Sequence, residues 1–241
     1  MLNATPKPML VLRPIFTGAL PRWSTAMYAF PDTRIPLPQV LLHHQGNRPH
    51  RRTHVRDFLL AAPEMERFNL LLARLDHTRA PLETDQLATA ARNLEDGADD
   101  AAPAPCILQR LQLAGTVEQM LLDPDWEPAT EAADEAREVV DYLHASWQLI
   151  PDTLPGIGQL DQAIVIDTAW PKLVREVDNF LDYQRLRRIE AIRQERDYAA
   201  VTFNRRLWLE SRELEARLRE HHNRVRESSY APPSPSCFRV H

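Results

Sequence analysis

Six glycines have to serve a chain of 241 residues that carries twenty prolines. So few glycines leave little room for a glycine-rich phosphate loop or for the tight first turn of a dinucleotide-binding sheet. The prolines cut the chain into pieces, because each one fixes φ and removes a backbone donor. Between them Leu, Ala, Glu and Arg dominate, and all four favour helix. Aromatic residues make up 7% of the chain and β-branched runs are rare, which disfavours a sandwich or a barrel. With 44% hydrophobic and 26% charged residues, the chain can bury a core. The expectation is an all-α protein. It is read as an irregular helical bundle with a helix-turn-helix hairpin, a long C-terminal helix and an extended, proline-rich N-terminal arm.

Proline spacing and apolar periodicity divide the chain further. Residues 1–53 read as a basic arm broken by seven prolines, from Pro6 to Pro38, with apolar pieces at 9–12 and 40–42 that can dock on a core. Residues 54–96 read as a helical hairpin. Its first helix, 54–78, places Phe58, Leu59, Met65, Phe68, Leu71, Leu72 and Leu75 at spacings of three and four, with a kink or split at Pro63. Its second starts near Pro81 and stops at Asp96-Gly97. Residues 97–105 read as a linker. Residues 106–227 read as a helical domain. A helix over 105–122 ends at Asp123-Pro124-Asp125. Another starts near Pro128 with Thr130 as N-cap, and its apolar face runs through Val139, Val140, Leu143, Trp147 and Ile150. A fifth helix is expected over 158–169, and a sixth from Pro171 to about Arg226. Residues 228–241 read as a disordered tail.

The formal net charge of −5 is unevenly spread. Residues 1–57 hold eight Lys/Arg against Asp32 and Asp57, while residues 82–138 hold three Arg against fourteen Asp/Glu. The flanks can pack on the acidic middle, or the arm can meet an anionic partner through Arg48, Arg51, Arg52 and Arg56. Cys106 and Cys237 lack CxxC spacing, which excludes a disulfide framework or a zinc ribbon. Two unpaired thiols fit a reducing compartment. The apolar stretch near 160–170 is short and interrupted by Asp161 and Asp167. Residues 1–31 lack a compact apolar segment with a cleavage site, so no secretory signal is expected, and five prolines there spoil a transit helix. The expected placement is cytoplasmic, with peripheral membrane association as the alternative.

One stretch stands apart, running from Trp147 through Leu149-Ile150-Pro151-Asp152 and Pro155 to Gly158 and Asp161. It resembles the YkvA-like family, a short bacterial helical domain of unknown function, whose pattern is roughly D-L-I-P-D-x-I-P-x-x-G-x-x-D-D between two apolar helices. The resemblance is limited to about residues 137–170. It rests on Leu149, Ile150, Pro151, Asp152, Pro155, Gly158 and Asp161. Two positions depart from the pattern: Gln148 and Gln162 stand where it has Asp. The resemblance implies a helical hairpin and no particular reaction. Chemically, Pro151 is expected to end the preceding helix, and Asp152 to turn back onto loop N–H groups. Pro155 and Gly156 permit a tight reversal, Gly158 allows close packing or positive φ, and Asp161 meets the positive end of the next helix.

Sharper chemistries find little support. A metal-dependent hydrolase would draw on His144, Asp152, Asp161 and Asp167, but HExxH and paired HD motifs are absent. No GxSxG elbow accompanies Ser24, Ser146 or Cys106. No catalytic residue and no cofactor is assigned. A pI near 6.0 weighs against nucleic-acid binding. The last helix carries Leu207, Leu214 and His221 at sevens, with Ser211 and Leu218 between. This is a broken heptad that admits a homodimer through the C-terminal helix. Arg185, Arg187, Arg188, Arg205, Arg206 and Arg212 can meet anionic lipid, yet Glu190, Glu195, Glu210, Glu213 and Glu215 read as their salt-bridge partners. The resulting expectation is a non-enzymatic interaction or scaffold module with a protein partner. A metal or hydrolytic site at Asp152 and Asp161, and an anionic-lipid or nucleic-acid surface on the arm, are the alternatives.

Overall fold

The structure, a computed structural model, describes residues 34–42, 52–95 and 102–229. Among them the chain is all-α apart from one small ladder. In order come β1 (His54–Val55), β2 (Phe58–Leu59), α1 (Ala62–Leu75), α2 (Thr84–Glu95), α3 (Pro105–Leu122), α4 (Thr130–Leu143), α5 (Leu160–Arg193) and α6 (Arg205–Ser229), with 3-10 turns at Gln39–Leu41 and Tyr198–Ala200. None of these helices is long and apolar enough to cross a membrane.

The contacts divide the chain into two units. The first holds the described residues up to Gly115 together with Tyr142–Thr168. Its core gathers Phe68, Leu72 and Leu75 of α1, Leu87 and Ala91 of α2, Ile107 and Leu113 of α3, and Leu160 and Ile164 of α5, all buried. The arm contributes Leu37, Val40 and Leu41 to this interior, as the apolar piece at 40–42 anticipates, although Leu42 itself is exposed. Gln86 fastens the arm by donating to the Val40 carbonyl at 3.2 Å. Arg110, only 3% exposed, is the less expected anchor. Its guanidinium donates to the Ile35 carbonyl at 2.6 Å and to Asp167 at 2.9 and 3.1 Å. A guanidinium is tolerated inside because carbonyls and a carboxylate satisfy its donors. Asp167, considered above as a metal ligand, is thus the partner of Arg110 and of Arg34 at 3.4 Å.

The second unit holds Thr116–Asp141 and the described residues from Ala169 onward. Aromatic rings dominate its core. Trp126 lies 4.9 Å from Tyr183 and 5.3 Å from Trp208, and Tyr183 stacks on Phe180 and Phe203 at 5.9 and 5.8 Å. Such offset and edge contacts add to what burial alone supplies. Arg187, buried, bridges Asp125 at 2.9 Å and donates to the Tyr183 hydroxyl at 2.8 Å. Arg205 starts α6 by pairing with Glu176 and lying 4.5 Å over the Trp126 ring.

Several boundaries differ from the expectation. The segment from 54 is not helical: it pairs as a two-residue ladder, His54 with Leu59 and Val55 with Phe58, and α1 begins only at Ala62. Pro63 does not split a helix but occupies its first turn, where its missing N–H has no intrahelical role. α4 ends at Leu143, so Trp147 and Ile150 belong to the following loop and not to its face. The expected break at Pro171 is absent, since α5 runs through it. The side chains of Trp170, Leu173 and Val177 are buried there, which outweighs one lost backbone bond. The true interruption comes at 194–204. Glu195 adopts a left-handed φ of 53°, and Arg196 N–H closes onto the Ala191 carbonyl at 3.0 Å, as at a helix C-cap. Asn204 then caps α6 by accepting the Leu207 N–H at 3.1 Å. α6 reaches Ser229. The arm at 1–33 and 43–51, the linker at 96–101 and the tail at 230–241 lie outside the described residues.

Candidate functional site

The loop between α4 and α5 holds the distinctive motif, and a buried carboxylate organises it. Leu149 and Ile150 are fully buried, so their backbone N–H groups need partners inside the protein. Asp161, in the first turn of α5 and itself fully buried, supplies them. Its Oδ2 accepts the Leu149 N–H at 3.0 Å, the Ile150 N–H at 3.3 Å and the Tyr142 hydroxyl at 2.5 Å. The Tyr142 oxygen in turn accepts the Leu149 N–H at 3.3 Å. Tyr142 sits at the end of α4, so the cluster ties one helix end, the loop and the next helix start together. Burial raises the Asp161 carboxyl to about 6, against the opposing pull of these hydrogen bonds. The Tyr142 hydroxyl is pushed above its ordinary range, first by burial and then by the neighbouring Asp161 charge.

Asp161 stands in the first turn of α5 as expected, and it also takes the role expected of Asp152. Asp161, and not Asp152, receives the loop amides. Asp152 is exposed and takes the Gln162 side-chain amide on Oδ1 at 2.9 Å. Gln148, with its amide nitrogen turned toward Asp152, donates to both carboxylate oxygens at 3.2 Å and accepts from Gln162 at 3.0 Å. Partial burial nonetheless raises the Asp152 carboxyl. The two glutamines that replace aspartate in the resembled pattern thus close a small network around the carboxylate they flank. Amide donors satisfy here a charge that a second carboxylate would repel.

The glycines divide the remaining work. Gly156 takes a φ of 79°, where a Cβ would make only an ordinary contact with the Ala102 carbonyl oxygen at 3.9 Å. Gly158 has no room: a Cβ there would lie 2.7 Å from the Asp152 carbonyl oxygen and 2.8 Å from that of Leu154. Pro151 and Pro155 border the turn, and the Gly156 carbonyl accepts the Ala104 N–H at 3.1 Å. Trp147 packs its edge on Tyr142 at 5.3 Å, under the Arg67 guanidinium at 3.8 Å.

His144, Asp152 and Asp161 do not assemble as a metal site: among the described residues no three His, Cys, Asp or Glu side chains are grouped to hold an ion. Cys106 is buried and its thiol is raised by that burial, the opposite of an activated nucleophile. Of the four arginines considered for an anionic partner, Arg48 and Arg51 lie outside the described residues. Arg52 donates to Thr89 Oγ1 at 3.0 Å, and Arg56 pairs with Glu95 at 2.5 Å. Sequence reasoning missed Tyr142, although it lies three residues beyond Val139 on the same face of α4, and it missed Arg92, which α2 brings near Arg52 and Arg56. Compared with known proteins, the chain matches no family model, no curated protein and no solved structure.

Proposed function

We propose that the protein is a non-enzymatic interaction module that binds a second copy of itself through α6. Residues 213–227 support this reading, because every one of them is exposed although they form a continuous helix. Fifteen residues extend about 22 Å at 1.5 Å each. A lone helix of that length is marginal in water. Its ion pairs, Glu213–Arg217, Glu215–Arg219 and Glu220–Arg224, run in the favourable direction but add only about 0.3–0.5 kcal/mol apiece. A partner helix supplies the missing stabilisation.

The exposed apolar line fits that partner. Leu207, Ser211, Leu214, Leu218, His221 and Val225 follow one another at alternating steps of four and three, and Leu214 and Leu218 are each 59% exposed. One rim of this line reads Glu210, Arg217, Arg224, and the other reads Glu215, His222. A parallel copy would set Glu210 against Glu215 and Arg217 against His222. An antiparallel copy sets Glu210 against Arg217 or Arg224, which favours that orientation. The helix arginines are largely engaged by neighbouring glutamates, which favours a helical partner over a lipid headgroup surface. We likewise read the 149–161 loop as the connection of a YkvA-like hairpin, a supporting element and not the contact surface.

Co-purification of two differently tagged copies tests the reading. The wild-type copies are expected to capture one another, and Leu214→Asp with Leu218→Asp is expected to abolish capture while the chain stays folded, since both side chains are exposed and lie outside the two cores. Capture that persists in the double variant contradicts the assignment to α6.

A further inference from the structure

A second feature, independent of α6, lies between the β1–β2 hairpin and α2. A cavity of about 280 Å³ opens there. Two small buried residues of α2, Ala88 and Ala91, line it and leave it room. Around them stand Arg52, Arg56, Arg92, His54 and Glu95. Three guanidinium groups therefore face one carboxylate. Arg56, held at the hairpin turn with a φ of 50°, pairs with Glu95 at 2.5 Å. Arg52 is fixed from two sides: its backbone N–H donates to Asp85 at 2.8 Å, and its guanidinium to Thr89 at 3.0 Å. Among the described residues Arg92 makes no ion pair, and the Arg52 guanidinium has no carboxylate partner. Counting Arg52, Arg56 and Arg92 against Glu95, the described lining carries a surplus of two positive charges.

We propose that this cavity binds the phosphate group of a small soluble molecule. A phosphate dianion matches the surplus, and guanidinium forks match its oxygens. Cavities of about 300–1,000 Å³ hold drug-sized ligands, so this one at the small end suits a phosphate on a compact body and not a polymer. The Thr89 bond positions Arg52 before a ligand arrives, which lowers the ordering cost of binding. The same chemistry is offered by a phospholipid headgroup, and the two sources are separable.

The test is thermal unfolding of the full chain titrated with inorganic phosphate and with pyrophosphate, against chloride at matched ionic strength. Binding to the folded state alone gives a saturable rise in melting temperature. The expected result is such a rise for the phosphates only, with an apparent affinity weakened about tenfold or more in Arg92→Ala, in line with a lost charge-assisted contact. Arg92→Ala should melt like the wild type without phosphate, because its side chain is exposed and makes no ion pair among the described residues. Arg137→Ala, a control on α4, should titrate like the wild type. Equal responses to phosphate and chloride overturn the proposal. So does an unchanged titration in Arg92→Ala, which would show an adventitious ion elsewhere. Flotation with phosphatidate vesicles, without any response to free phosphate, would move the anion to a membrane surface and also overturn it.

Discussion

Asp161 shows how a single side chain can hold a loop from inside. It is buried, and it takes three donors from two other segments. Asp161→Ala would strand the Tyr142 hydroxyl and two backbone amides, at a cost of about 2–4 kcal/mol measured by urea unfolding at pH 7. The charge itself has a distinct signature. Its carboxyl stands at about 6 in the folded protein against 3.8 for the free group. The folded state binds this proton more tightly, so the associated stability is complete below about pH 4 and is lost as pH rises through 6. Two units correspond to about 3 kcal/mol at about 1.4 kcal/mol each. Asp161→Asn keeps an acceptor and has no such proton. The stability of the wild type minus that of Asp161→Asn is therefore expected to fall by about 2 kcal/mol between pH 4 and pH 7. A difference that stays level or grows would contradict the buried-carboxylate account. The neighbouring glycines separate strain from space. Gly156→Ala costs about 1 kcal/mol through its positive φ. Gly158→Ala drives a methyl group into two carbonyls and should cost about 2 kcal/mol or more in the same unfolding assay.

At the scale of elements, the prolines and the apolar periods were informative where local chemistry decides. α3 runs over the expected 105–122. The same reading failed where packing overrides local preference. Pro171 looks like a helix break, but α5 continues through it because Trp170 and Leu173 are buried on either side. The actual break at 194–204 contains no glycine or proline. Its only local signal is Asn204 placed three residues ahead of Leu207. In the motif, the residue types were legible but their roles were not. Which aspartate takes the loop amides depends on where α4 ends, and no residue near Leu143 announces that end. Arg110 was unreadable for a similar reason, since its partners Ile35 and Asp167 are distant in sequence. Pro171 also offers a test of the override. In a helix interior, Ala is favoured over Pro by about 3 kcal/mol, less the entropy that Pro removes from the unfolded chain. Pro171→Ala is expected to raise the melting temperature, and a lowered one would show that the helix is built around the proline.

For the whole molecule, the two units differ in what remains exposed. The first closes on itself through Arg110, Asp161 and the docked arm. The second holds a helix whose residues 213–227, about four turns, are all exposed. The self-pairing we propose would bury Leu214 and Leu218, which the single chain leaves exposed. It also makes the polar members of the line weak points, because a polar side chain in such a seam lowers stability. His221→Leu is expected to tighten the association about tenfold. Sedimentation equilibrium of the full chain tests the central claim most directly. One copy weighs 27.8 kDa. The account predicts a concentration-dependent shift from that mass to twice that mass, with Leu214→Asp plus Leu218→Asp remaining at the mass of one copy. A wild-type chain that stays at the mass of one copy throughout, or a double variant that still doubles, would contradict it.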